Sequence, residues 1–302
     1  MAVQTVTGKI SAKDCGIVTP HEHIFIELTA FFDEHPVRDC ESPATASVTM
    51  DKLGILNRDP YAIKDNLRMN DYETQKKEIL RFKAAGGRTI VDATMPGIGR
   101  DPKMLRRISE ATGINVIMGT GYYVASTHPE EMKKMSEEQI ADMMVEEINI
   151  GAEGTDIKAG VIGEIGISEV FNEEERRVLR AAAIAHKKTG IGVLVHINPW
   201  TVNGIEATKI LLAGGVPPEK IAISHIDVEN RREYIDELLK MGVYVEFDNF
   251  GKEYYVDREV RNEGYGLFVH DTDRVRLIRE LIDAGYKKQI LLSCDVCLKT
   301  CL

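Results

Sequence analysis

The chain has 302 residues, of which 43% are hydrophobic and 28% are charged, and these are ordinary values for a globular protein. A formal net charge of −10 argues against a nucleic-acid partner, because phosphate binding depends on clustered Lys and Arg. No apolar run approaches the roughly 20 residues of a membrane-spanning helix, so no membrane partner is expected. The N-terminus, MAVQTVTGKI, lacks a secretion signal, which predicts a cytoplasmic protein whose five cysteines are reduced thiols.

Eight short apolar runs alternate with longer amphipathic stretches, which is the pattern of repeated βα units. The predicted strands are GIVTPH (16–21), RTIVDAT (88–94), INVIMGT (114–120), AGVIGEI (159–165), IGVLVH (191–196), KIAISH (220–225), VYVEFD (243–248) and ILLSCD (290–295). Two intervening helices begin with capping boxes, formed by Ser136 with Gln139 and by Asn172 with Glu175. Eight such units predict an α/β fold, a (β/α)8 TIM barrel, with its active site at the carboxyl ends of the strands.

Two features depart from a regular barrel. A long loop insertion at about residues 24–70 follows the first strand, and connections of this length are usually lids or binding loops. The chain also stops seven residues after Asp295, so no helix follows the eighth strand. We therefore expect a barrel without its final C-terminal helix, with an apolar patch on the outer faces of strands eight and one.

Four of the eight histidines fall at or just beyond the carboxyl end of a predicted strand, namely His21, His23, His196 and His225. Because side chains alternate faces along a strand, His21 and His23 point the same way and can bind one metal ion. A single strand histidine is more often a satisfied core residue than a ligand. Four histidines at equivalent positions favour a metal site.

Two carboxylates occupy similar positions. Glu164 lies within the fourth strand and Asp295 at the end of the eighth, where burial without a partner would be costly. Four imidazoles and two carboxylates exceed the ligands that one tetrahedral zinc accepts. The set therefore predicts two metal ions with one bridging carboxylate.

The order of these residues resembles the amidohydrolase superfamily, and specifically the phosphotriesterase-related proteins. The resemblance covers nearly the whole chain, through the stretches TPHEHI, KLGILNRDPYAIKDNLR, INVIMGTGYY, IKAGVIGEIGISE, SHID, EFDNFG and LLSCD. It implies a single metal-dependent hydrolase barrel domain over residues 1–302 that acts on a small-molecule substrate.

The resemblance also implies which residue binds which ion. His21, His23, Glu164 and Asp295 would hold the first metal, and Glu164, His196 and His225 the second, with Glu164 and a hydroxide as bridges. True phosphotriesterases and the related lactonases place a carboxylated lysine where this chain has Glu164, and this departure argues against triester activity. Zinc is the expected metal for imidazole and carboxylate ligands, with Mn²⁺, Co²⁺ or Fe²⁺ as alternatives.

The expected reaction is hydrolysis of an ester, lactone, phosphoester or N-acyl amide bond by the bridging hydroxide. Asp295 is the predicted catalytic residue, because a ligand carboxylate can accept the proton of the attacking hydroxide and pass it to the leaving group. Substrate contacts are predicted at Tyr122 and Tyr123 after strand three and at Trp200 after strand five. Asp227, just after the sixth strand, is a further candidate for the pocket or for orienting a ligand.

Two other functions fit the same ligand set. TatD-type deoxyribonucleases share the HxH, the GEIG strand, two histidines and an aspartate, and would be metal-dependent nucleases or phosphodiesterases. The acidic composition and the insertion at residues 24–70 favour the small-molecule hydrolase. An inactive, truncated metal-binding homologue is the other alternative. The oligomeric state stays open, with a homodimer as one option.

The last stretch, LLSCDVCLKTCL (291–302), contains a C-x-x-C pair at Cys294 and Cys297. A structural zinc site would need two further soft ligands at fixed spacing, and the chain has no second C-x-x-C pair. Strand alternation predicts instead that Asp295 points towards the metals while Cys294 packs on the opposite face.

Overall fold

The computed structural model describes residues 2–32, 40–255 and 268–302. The strands in these ranges are β1 (Ala2–Thr5), β2 (Gly8–Ser11), β3 (Ile17–Glu22), β4 (Ile26–Glu27), β5 (Arg68–Met69), β6 (Gly87–Asp92), β7 (Asn115–Thr120), β8 (Val161–Ile167), β9 (Val193–Ile197), β10 (Ile221–Ile223), β11 (Tyr244–Phe247) and β12 (Ile290–Leu292). The α-helices are α1 (Leu53–Leu56), α2 (Tyr72–Ala84), α3 (Pro102–Thr112), α4 (Glu137–Asn149), α5 (Glu173–Thr189), α6 (Asn203–Ala213), α7 (Arg232–Lys240) and α8 (Asp271–Asp283).

Eight strands form one parallel sheet in the order β3, β6, β7, β8, β9, β10, β11, β12. Their apolar character follows from burial on both sides, by the barrel interior and by the helices outside. The (β/α)8 barrel predicted from the sequence is confirmed. Each predicted strand is present, with its ends shifted by at most three residues.

The barrel closes between β12 and β3 through bonds outside the regular ladders. His21 N donates to Ser293 Oγ at 3.1 Å, and Asp295 N donates to the His21 carbonyl at 3.2 Å. Ile17 at the start of β3 is 61% exposed and Leu292 at the end of β12 is 50% exposed, but they lie at opposite ends of these parallel strands, so the apolar patch expected on the outer faces stays a prediction.

One prediction about this region is wrong. Strand β12 ends at Leu292, so Asp295 lies beyond the strand and has a left-handed backbone with φ 45°. Cys294 is exposed rather than packed. The alternation of faces does not continue past the last strand residue, and for this reason it could not orient these two side chains.

Both predicted capping boxes are confirmed. The Ser136 hydroxyl accepts from Gln139 N while the Gln139 side chain accepts from Ser136 N, and Asn172 and Glu175 make the same exchange. These bonds satisfy backbone N–H groups that have no partner within the helix, and so they fix where α4 and α5 begin.

The long insertion folds over the carboxyl ends of the strands. Its strands β4 and β5 pair antiparallel, and residues 33–39 of the insertion lie outside the described ranges. Apolar side chains from the insertion pack with others from the strand ends and the last residues of the chain, in the cluster Ile26, Leu28, Leu67, Met69, Met95, Ile98, Tyr254 and Leu298. Among the described helices, none is both long enough and apolar enough to cross a membrane.

A buried ion pair joins the loop after β6 to helix α4. Arg100 binds Glu147 through two bonds, with Nη1–Oε2 at 2.7 Å and Nη2–Oε1 at 2.6 Å, and its side chain is fully buried. Arg100 also donates to the Gly119 carbonyl, and Thr120 donates to Glu147. The pair therefore fixes the carboxyl end of β7 against α4.

We expect Arg100→Met to lower the free energy of unfolding by about 3–5 kcal/mol, because it leaves the Glu147 carboxylate buried without its partner. Urea unfolding followed by circular dichroism measures the change. The double variant Arg100→Met/Glu147→Gln is the control and should recover part of the loss, because the unpaired charge is gone. A loss below about 1 kcal/mol in the single variant would show that the pair matters little.

Candidate metal centre

The six residues predicted as metal ligands converge at the carboxyl ends of the barrel strands. All but His196 are buried, and His196 is partly exposed. They form two groups in which the potential ligand atoms lie within 4.8 Å of one another, namely His21, His23 and Asp295, and Glu164, His196 and His225.

The Glu164 carboxylate lies between the two groups. Its Oε1 is 2.8 Å from His196 Nδ1, 3.1 Å from His225 Nε2 and 3.3 Å from His21 Nε2. Its Oε2 is 3.8 Å from His23 Nε2. A carboxylate in this place can contact an ion on either side, which is the position expected for a bridge.

The Nδ1 atoms of three histidines face polar groups on the outer side of the centre. His21 Nδ1 lies 3.2 Å from Glu246 Oε2, and His225 Nδ1 lies 3.0 Å from Asp248 Oδ1. His23 Nδ1 lies 2.9 Å from Thr94 Oγ1. Such partners hold a proton on Nδ1 and direct the Nε2 lone pair inward, as is usual for metal-ligating histidines.

The donor set fits metal ions. His21 Nε2 is buried and makes no hydrogen bond to any described residue, although it points at the Glu164 carboxylate. A buried polar atom without a partner is rare and costly, and a cation between these two atoms would satisfy both.

The carboxylates around the centre favour positive charge on the imidazoles. Burial opposes ionisation of Glu164, but the imidazoles beside it hold its pKa well below its usual range. Burial also disfavours imidazolium, yet Glu164 and Glu246 raise the pKa of His21 well above its usual value. In the same way, Asp248 overcomes burial and raises the pKa of His225 to about 10.

His196 differs from the other histidines. Burial lowers its pKa more than the nearby Glu164 carboxylate raises it. Its Nδ1 lies 2.8 Å from Glu164 Oε1 and 2.8 Å from His225 Nε2, while the Tyr123 hydroxyl is near both ring nitrogens, at 3.4 Å from Nδ1 and 3.3 Å from Nε2. In this histidine, Nδ1 rather than Nε2 therefore faces the centre.

Asp295 presents its two oxygens to different partners. Oδ1 lies 3.2 Å from His23 Nε2 and 3.8 Å from His21 Nε2, while Oδ2 accepts from the ammonium group of Lys252. Lys252 is buried and lies 3.4 Å from Cys297 Sγ. Burial raises the pKa of Asp295, but Lys252 and the histidines reverse that effect and hold it below its usual range.

Sequence reasoning missed three charged residues of the centre. Glu246 and Asp248 are acids at alternate positions of a buried strand and its end, and this is the same signal that singled out Glu164. Lys252 lies in the irregular segment after β11, where no periodic pattern indicates the direction of a side chain.

A cavity of about 140 Å³ opens onto the ligand atoms. Its wall is mostly apolar or aromatic and includes Ile26, Leu28, Pro60, Tyr61, Ile98, Tyr123, Pro199, Val228, Tyr254, Phe268 and Leu298. Among the described residues, Lys252 is the only Lys or Arg that lines it. Of the four residues predicted for substrate contact, only Tyr123 is in this wall.

The other three predicted contact residues pack elsewhere. Tyr122 lies against His128, with ring centroids 5.7 Å apart, and Trp200 packs edge-on against Phe268 at the same centroid distance. Asp227 is fully buried and pairs with Arg274 at 3.0 Å.

Asp227 also accepts bonds from Asn249 N and Nδ2 and from Asp248 N. Through these bonds it holds the backbone that carries Asp248, the partner of His225. Asp227 therefore supports the contact between Asp248 and His225 from a distance and does not face the cavity.

Solved structures with this fold include proteins of similar sequence. A resiniferatoxin-binding protein from Rhodobacter sphaeroides is 35% identical with a TM-score of 0.95, and the match covers 100% of this chain and 83% of that one. A phosphotriesterase homology protein from Escherichia coli, complexed with phosphate in its active site, is 27% identical with a TM-score of 0.77, over 96% of this chain and 85% of that one.

Curated relatives extend the similarity to animals. N-acetyltaurine hydrolase from Danio rerio is 38% identical over 303 residues, covering 97% of this chain and 84% of the relative. The enzyme of that name from Homo sapiens is 35% identical over 304 residues, covering 99% and 85%. The model of the phosphotriesterase family matches residues 1–302, which agrees with the resemblance seen in the sequence motifs. The chain belongs to the phosphotriesterase family.

Proposed function

We propose that this chain hydrolyses a small N-acyl amide whose amine part carries an acidic group, with two divalent metal ions held at the centre. The observation that carries the two-ion part of the proposal is the buried Glu164 carboxylate, which contacts His196 and His225 on one side and faces His21 and His23 on the other. The family is one of metal-dependent hydrolases with binuclear centres. Family membership also favours a hydrolase of this type over a TatD-type nuclease.

The proposed ligands are those predicted from the sequence. His21, His23 and Asp295 would hold one ion and His196 and His225 the other, with Glu164 shared between them. Two ions in such sites lower the pKa of a shared water and polarise the oxygen of the bond that is cleaved. Zinc suits these imidazole and carboxylate ligands.

Asp295 is the proposed proton carrier. Lys252 and the histidines keep it ionised, so an acceptor oxygen is available beside the cavity at neutral pH. We propose that Asp295 takes the proton of the attacking water and delivers it to the leaving nitrogen. The apolar wall contributed by the insertion, including Ile26 and Leu28, limits competing water at this carboxylate.

Lys252 supports an acidic substrate. It is the single Lys or Arg among the described residues of the cavity wall, and its ammonium group is buried beside the ligand atoms. A buried ammonium group binds a carboxylate or sulfonate more strongly than a neutral group. The relatives named N-acetyltaurine hydrolase act, by that name, on an amide with a sulfonate on its amine part.

The primary test is a substrate screen combined with a metal count. We expect two zinc ions per chain by mass spectrometry and turnover of N-acetyltaurine or N-acyl amino acids, with weaker turnover of lactones, aryl esters and phosphoesters. Cleavage of DNA oligomers with Mg²⁺ or Mn²⁺, without amide hydrolysis, would favour the nuclease. A protein that binds two ions but turns over none of these compounds would favour the inactive homologue.

We expect Asp295→Asn to keep both metal ions and to lower kcat by about 10²–10⁴, because the amide retains a ligand oxygen but cannot accept the proton. Steady-state kinetics and the zinc content of the same preparation give the two quantities. Near-wild-type kcat would rule out the proton-carrier role of Asp295.

Lys252→Met should lower kcat/KM for N-acetyltaurine, relative to a neutral sulfone analogue of the same length, by about 10- to 100-fold. The ratio is the informative quantity, because Lys252 also contacts Asp295 and its loss affects turnover of both substrates. Lys188→Met is the matched control, since Lys188 pairs with Asp142 at the surface and is outside the cavity wall. An unchanged ratio in the Lys252 variant would contradict recognition of the acidic group by this residue.

A further inference from the structure

The middle residue of the HEH sequence reaches across the barrel seam. The Glu22 side chain is buried, and each of its oxygens binds the segment that follows β12. Cys294 N donates to Oε1 at 3.0 Å, and Val296 N donates to Oε2 at 2.8 Å. The Ser293 hydroxyl lies 2.8 Å from Oε1. One carboxylate therefore binds two backbone N–H groups and contacts a hydroxyl.

The two bound N–H groups lie on either side of Asp295. Asp295 has φ 45°, in the left-handed region that few residues other than glycine adopt, although aspartate tolerates it better than most. Its own N–H donates to the His21 carbonyl at 3.2 Å. A backbone conformation of this kind persists only where neighbouring groups hold it.

This contact also joins distant parts of the chain. Glu22 lies between His21 and His23 in the sequence, while its partners surround Asp295 near the other end. Strands β3 and β12 have no described ladder between them, so Glu22 and Ser293 provide much of the bonding across the seam. The relative position of the ligands from these two strands therefore depends on the Glu22 carboxylate.

We propose that Glu22 is a positioning residue for the metal centre. By binding the N–H groups on either side of Asp295, it holds the Asp295 carboxylate within reach of His21 and His23. The inference rests on the proposed function, because it concerns the orientation of a proposed metal ligand. Glu22 has no contact with substrate in this role and acts only through Asp295.

The test is zinc binding by Glu22→Gln. In the variant one oxygen becomes an NH₂ group, which faces a backbone N–H and cannot accept from it. The protein is equilibrated in zinc-buffered solutions and the zinc bound per chain is measured by mass spectrometry. We expect the free zinc concentration at half occupancy to rise by about 10- to 100-fold for one ion, with the other unchanged.

Glu175→Gln is the matched control. Glu175 is also a buried carboxylate that accepts from backbone N–H groups, those of Ala125, Ser168 and Asn172, and it lies away from the segment around Asp295. We expect it to lower Tm as Glu22→Gln does while both ions bind with wild-type affinity. If Glu22→Gln does not fold, Glu22→Asp replaces it, because the shorter carboxylate cannot reach both N–H groups.

A double-mutant cycle separates positioning from general destabilisation. Asp295→Ala should weaken the same ion, and Glu22→Gln added to Asp295→Ala should change that affinity by less than about twofold. The positioning role is refuted if the losses of zinc affinity in the two single variants multiply in the double variant. It is also refuted if Glu22→Gln binds both ions like the wild type while Asp295→Ala does not. If Asp295→Ala leaves both affinities unchanged, the proposed ligand set itself fails.

Discussion

The rest of the centre depends on the burial of the Glu164 carboxylate. Moving an isolated charge from water into a protein interior costs more free energy than most single interactions recover. A buried carboxylate therefore needs positive charge close to it. The barrel brings four imidazoles to it from strands that are far apart in sequence. Glu246 and Asp248 add further negative charge behind two of these imidazoles. Buried acid is therefore in excess at this site, which favours a bound cation.

This constraint explains which parts of the site the sequence could predict. Strands of a parallel barrel are buried on both sides, so an acid or histidine within or just after one of them stands out against an apolar background. Glu164, His196 and His225 were identified in this way, and their convergence follows from the barrel geometry. Glu246 and Asp248 carried the same signal, but they lie behind the imidazoles of His21 and His225 and match no ligand pattern recognised in the sequence.

Sequence reasoning is weakest where the chain leaves its regular elements. Asp295 lies at the centre as predicted, but it is beyond the end of β12 in a left-handed conformation that strand alternation cannot describe, and the predicted packing of Cys294 is wrong. Tyr122 and Tyr123 are neighbours in one loop, yet one packs against His128 and the other faces His196. Lys252 follows a strand without any periodic context. In each case tertiary contacts set the direction of the side chain, and the local sequence does not predict those contacts.

The two cysteines of the C-x-x-C pair lie in different surroundings. Cys294 is exposed while Cys297 lines the cavity, so the C-x-x-C pair does not present two thiols to one ion. Nearby, Lys299 pairs with Asp65, and Thr300 N donates to Asn66 at 2.9 Å, which docks the end of the chain against the long insertion. The insertion and this terminal segment together form much of the apolar wall, whereas the strands supply the ligand atoms. Changes in these two segments can therefore alter which small molecule fits without disturbing the charge balance around Glu164, and the substrate preference of the chain should depend on them.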